Sequence, residues 1–121
     1  MKKLIILISC FAISNLCFAQ SGDSIFNQDR ETVISYFKTE TVGGKLDFEM
    51  KMKDDQKGFY AYDNIIYNRK DFGIFLWGQA IKRTNQFSKK NAARFWEEIQ
   101  GRKLSKPEKK ALYRGFETNI E

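Results

Sequence analysis

Asp47 and Glu49, two residues apart between Lys45 and Lys53, are the carboxylates best spaced for acid–base chemistry. On an extended chain they point to one side about 6.5–7 Å apart, a separation compatible with glycoside hydrolysis. Lys45, Lys51 and Lys53 share that side, and a catalytic acid needs burial to shift its pKa. A solvated strand face is the preferred reading. Asp54-Asp55 offers two adjacent carboxylates, short of the six to eight oxygens a calcium site needs.

The chain has no histidine, which removes the commonest general base and transition-metal ligand near neutral pH. Its two cysteines, Cys10 and Cys17, both lie in the first 17 residues. If that segment is removed, Ser-His-Asp and Cys-His nucleophilic sites and nearly all zinc geometries are excluded. Enzyme chemistry would have to run on Asp, Glu, Lys, Tyr or Ser. No phosphate loop, dinucleotide fingerprint, EF-hand loop or haem motif is present, so no cofactor and no metal is expected.

Cations offer more. Arg102, Lys103, Lys106, Lys109, Lys110 and Arg114 crowd a short stretch. Arg102 and Lys103 follow a predicted helix C-terminus, where the helix dipole favours cations. Lys106 sits near the opposite pole of the next helix, and Lys110 and Arg114 are like charges spaced by four. Helix electrostatics therefore does not account for these three, and they are the leading candidates for a partner site. A purely solvated face is nevertheless the preferred reading of the run, since charge runs usually serve solubility. Tyr60, Tyr62 and Tyr67 form a second candidate, able to stack on a sugar or anchor an interface if exposed. Packing at a core edge is the preferred reading for them, as for Trp77 and Trp96, which lie on apolar helix faces.

Charge is divided along the chain. Gln20 to Tyr67 has six basic and nine acidic residues, whereas Asn68 to Glu121 has thirteen basic and six acidic. That asymmetry points to an acidic partner for the second half.

The elements that must position these residues read as one small domain. Ser24 to Lys38 is predicted helical, with Val33 and Phe37 on one face, although Gly43-Gly44 also permits a strand over Val33–Val42. Leu46, Phe48, Met50 and Met52 alternate with charges, which predicts a half-buried strand over Lys45–Lys53. A turn follows, and Phe59–Tyr67 returns as one broken strand or two short ones. Three helices complete the chain. Asp71 is expected to cap the first; Ser88 caps the second, which Gly101 stops. Ser105-Lys106-Pro107-Glu108 forms a capping box that opens the third, with Leu112, Tyr113, Phe116 and Ile120 inward. The fold class is α+β: an N-terminal helix, a small antiparallel sheet (hairpin or three-strand meander), then three helices on its apolar face.

Residues 1–19 carry Lys2 and Lys3, an apolar run from Leu4 to Phe11, and Cys17-Phe18-Ala19 before Gln20. This is the layout of a Sec-type signal peptide cleaved near Ala19-Gln20. The expected product is a single domain over residues 20–121, exported to the periplasm or outside the cell, with no transmembrane segment. The function favoured is non-catalytic binding of a protein or anionic envelope component, in an inhibitor, immunity or accessory role. Nucleic acid is not the expected partner of an exported chain. The alternatives are a small hydrolase or lyase acting on an envelope polymer, and a structural envelope component.

Overall fold

The structure, a computed structural model, describes residues 28–118. The expected signal peptide, its cleavage site, both cysteines, the Ser24 helix start and Ile120 lie outside the described residues.

Helix α1 (Arg30–Glu40) starts where Asp29 Oδ1 accepts the Thr32 N–H at 2.8 Å. The charges of Asp29-Arg30-Glu31, which interrupt the apolar pattern, form the cap and first turn of this helix. Val33 and Phe37 are fully buried one turn apart, and the strand alternative over Val33–Val42 is not adopted.

The strand predicted over Lys45–Lys53 does not form. A single-turn helix α2 (Phe48–Lys51) stands in its place. Asp47 is the cause: Oδ1 accepts the Met50 N–H at 3.1 Å and Oδ2 accepts the Gly43 N–H at 2.7 Å. Such local side-chain bonds compete with a sheet ladder, and Lys, Asp and Glu are poor strand formers. The alternation is broken accordingly. Leu46 and Phe48 pack against the core, whereas Met50 is 40% exposed.

Strands β1 (Phe59–Tyr62) and β2 (Ile65–Asn68) make the whole sheet, an antiparallel hairpin pairing Tyr60 with Tyr67 and Tyr62 with Ile65. Asp63 and Asn64 have φ of 53° and 66°, the two left-handed residues a tight hairpin turn requires. The inner face carries Tyr60, Tyr62, Ile65 and Tyr67; Phe59 and Ile66 point outward, 68% and 71% exposed.

Helix α3 (Arg69–Lys82) is central, burying Ile74, Phe75, Trp77 and Ile81. Its cap is Asn68, not Asp71; Asn68 Oδ1 accepts the Asp71 N–H at 2.7 Å. Helix α4 (Lys89–Gln100) has the expected Ser88 cap and left-handed Gly101 stop, and helix α5 (Lys106–Glu117) has the expected capping box. Helices α3 and α5 touch backbone to backbone. A Cβ on Gly78 would lie 2.5 Å from the Leu112 carbonyl oxygen, and one on Gly115 would lie 2.0 Å from that of Phe75. Trp77 and Trp96 are core residues, and Trp77 Nε1 donates to Thr41 Oγ1 at 3.0 Å.

The α+β class stands, with one correction to its layering. The hairpin packs on Phe72, Phe75 and Leu76 of α3 and Ala111 of α5, while α4 joins α1, α3 and α5 in a separate helical core. Among the described residues, no helix is long and apolar enough to cross a membrane.

Candidate functional site

The six clustered cations of the sequence divide into three environments. Arg102 has a structural task. Its Nη1 and Nη2 donate to Glu108 Oε1 and Oε2 at 2.9 and 3.0 Å, and its guanidinium lies 4.8 Å from the Trp96 ring centroid. Glu108 is only 1% exposed, and it also accepts the Ser105 N–H at 2.8 Å and faces Lys70 Nζ at 3.1 Å. The Arg102 hydrogen bond leads in holding the Glu108 carboxyl down to about 2, against the opposing effect of burial. Arg102 thus latches the α4–α5 connection.

Lys103, Lys106, Lys109 and Lys110 stay exposed. Lys103 and Lys109 face a cleft between α4 and α5 whose other wall the sequence reading missed: Lys90 and Arg94. One cleft of about 270 Å³ is lined by Lys90, Arg94, Glu97, Lys103, Lys109 and Tyr113. A second surface depression shares Lys109 and Tyr113 with it and adds Lys106, Pro107 and Lys110. Glu97 is the one carboxylate lining this groove. It is partly engaged, since Oε2 accepts the Leu104 N–H at 2.8 Å and Lys103 Nζ lies 3.9 Å from Oε1. Among the described residues, Lys90, Arg94, Lys106, Lys109 and Lys110 have no carboxylate within ion-pair distance. Tyr113 is half-buried at the shared edge, with Lys89 Nζ 4.8 Å from its ring centroid and Lys89 paired to Glu117.

The positions of Lys90 and Arg94, spaced by four on a capped helix, were readable. The short Gly101–Ser105 connection also implies antiparallel neighbours. What was not readable is the rotation that turns Lys90 and Arg94 toward Lys109.

Arg114 goes elsewhere. It lines a separate cleft with Tyr62 and Tyr67 beneath the hairpin. The tyrosines therefore do not form an exposed stacking surface. Tyr60 stacks on Phe72 at 5.1 Å and donates to Asp55 Oδ2 at 3.3 Å, Tyr62 meets Phe75 edge-on at 5.1 Å, and Tyr67 is buried.

Asp47 and Glu49 do line one cleft, together with Lys70 and Arg102, but its volume is about 80 Å³. Small-molecule sites span roughly 300–1,000 Å³, and both Asp47 oxygens already accept backbone N–H groups. Asp55 supplies its carbonyl to Arg69 Nη2 at 2.7 Å. Among the described residues, no three acidic, Cys or His side chains converge as metal ligands.

No protein-family model, curated protein or solved structure matches the chain.

Proposed function

We propose that the chain is an exported, non-catalytic binding protein whose α4–α5 groove holds an anionic polymer of the cell envelope. The observation that carries this reading is a continuous cationic surface, with Lys90 and Arg94 of α4 opposite Lys103 and Lys109 in one cleft and Lys106 and Lys110 in the adjoining depression on α5, and with Glu97 the sole carboxylate lining either. Unpaired like charges at such spacing cost stability when nothing screens them, and a bound polyanion relieves that cost. Five of the six groove cations, counting Lys103, are lysines, which act as mobile point charges and suit a flexible, repeating anion.

A polymer is favoured over a folded protein. Protein interfaces centre on buried apolar or aromatic anchors, and the exposed large apolar residues, Val42, Met50, Phe59 and Ile66, line neither part of the groove.

Polygalacturonate, a linear carboxylated polysaccharide, serves as the probe. The native protein should bind it at low salt and lose affinity steeply as salt rises, because exposed charges are screened over about 8 Å at physiological ionic strength. Lys106→Glu, Lys109→Glu and Lys110→Glu combined should abolish binding. Undiminished, salt-insensitive binding by that variant would refute the groove. Binding of an acidic protein but no polyanion would assign the same surface to an inhibitor or immunity role.

A further inference from the structure

The cleft that receives Arg114 is distinct from the polymer groove, and its chemistry is different. It has a volume of about 320 Å³ and opens between the hairpin and the C-terminal end of α5. Ile65, Tyr62 and Phe75 supply apolar wall. Tyr67 is 6% exposed, yet its hydroxyl has no hydrogen-bond partner among the described residues. A buried phenol is normally satisfied, and this one faces the cleft rather than a sealed interior: the fully buried polar side-chain atom lacking a partner is Arg69 Nε.

Arg114 lines the same cleft, and among the described residues its guanidinium has no carboxylate within ion-pair distance. Its charge is felt at the phenol: burial pushes the Tyr67 hydroxyl up, Arg114 pulls it partly back, and Asp63 and Tyr62 push it up again more weakly. Two donors thus line one cleft of mixed character, across from the apolar wall of Ile65, Tyr62 and Phe75, an arrangement suited to an oxyanion. The rim carries two carboxylates. Glu117 is paired with Lys89, whereas Asp63 stands at the turn and works against Arg114 for every negative charge a ligand brings, which makes a second one more costly than the first.

We infer that this cleft is a binding site for a small monocarboxylate with an apolar body, its carboxylate held by Arg114 and the Tyr67 hydroxyl and its body against Phe75 and Tyr62. The volume sits at the lower end of the range for small-molecule sites, which admits one ring with a short acid arm. The inference does not depend on polymer binding in the α4–α5 groove.

The probe is 3-phenylpropionate, titrated into the full chain while the ring resonances of Tyr62, Tyr67 and Phe75 are followed by NMR. Saturable shifts of those rings are expected. Replacing the probe by 3-phenylpropanamide, which keeps shape and loses charge, should weaken binding about tenfold or more, as should Arg114→Met. Tyr67→Phe, which keeps the ring, should weaken it about threefold to tenfold. The Lys106→Glu, Lys109→Glu, Lys110→Glu protein should bind the probe as the native protein does, which separates this site from the groove. Absence of saturable shifts, equal binding of the amide, or an unaffected Arg114→Met protein would each overturn the assignment.

Discussion

Arg102 and Lys106 stand four residues apart and carry the same charge, yet they belong to different physical regimes. Arg102 meets a carboxylate shielded from water, bonds it through two parallel N–H groups and rests near an indole. Lys106 and its neighbours Lys109 and Lys110 are exposed and, among the described residues, have no carboxylate within ion-pair distance. The first cation is spent on architecture; the second group is available. What divides them is the burial of one acid, Glu108, and not anything in the cations themselves. A run of basic residues thus says little until each charge has been assigned its partner.

Several substitutions test this division. The largest effect is expected where the frame carrying both regions is tightest. Gly115→Ala drives a methyl into the Phe75 carbonyl and should cost about 3 kcal/mol or more in a urea titration. An effect below about 1 kcal/mol would show that α3 and α5 can part without penalty.

Glu108→Gln comes next, at about 2–3 kcal/mol, because it leaves the latch without its charge in a buried position. The native protein should also show the matching acid sensitivity. Glu108 has a folded pKa of about 2, below its ordinary 4.5, so its contribution is present above about pH 4.5 and disappears as pH falls toward 2. Stability of the Gln variant should vary less over that window, and identical acid profiles would break the contrast.

Reversing Lys106, Lys109 and Lys110 should change stability by no more than about 0.5–1 kcal/mol, with acidic residues near the N-terminus of α5 even favoured. A loss comparable to that of Glu108→Gln would place these lysines on the architectural side. The smallest effect is expected at Met50. Met50→Asp should cost about 0.5 kcal/mol or less, since Met50 lies on the exposed side of a single helical turn. Unfolding of that variant would restore the half-buried strand.

The contrast between α5 and residues 45–53 explains what the sequence revealed. Ser88, Gly101 and the Ser105–Glu108 box act on backbone groups within four residues, so their structural consequence is local and was legible. Over residues 45–53 two local signals compete. The alternation of Leu46 to Met52 favours a strand, and Asp47 favours a cap. The cap prevails because it satisfies two backbone N–H groups at once, whereas a strand there would need a neighbour to bond. A similar near-miss occurs at Asn68 and Asp71, where either side chain was chemically able to cap and the end of β2 selects Asn68. The candidate sites were legible only in part. Lys106, Lys110 and Arg114 were singled out by charge that helix electrostatics left unexplained, and Lys109 only as a member of the same basic run. Arg114 follows Lys110 by one turn and seemed to continue the same stripe, but the hairpin packed on α3 and α5 gives it a different neighbourhood. That neighbourhood is a tertiary fact with no local signature.

The paired glycines have a mechanical consequence for the groove. Helix α5 is keyed to α3 at the backbone, so it cannot slide or tilt without a collision at Gly78 or Gly115. Helix α4 meets the core through the side chains of Ala92, Phe95 and Trp96, which can repack over short distances. The cleft between α4 and α5 therefore has a fixed wall bearing Lys109 and a compliant wall bearing Lys90 and Arg94. Any change in the width of that cleft falls to α4.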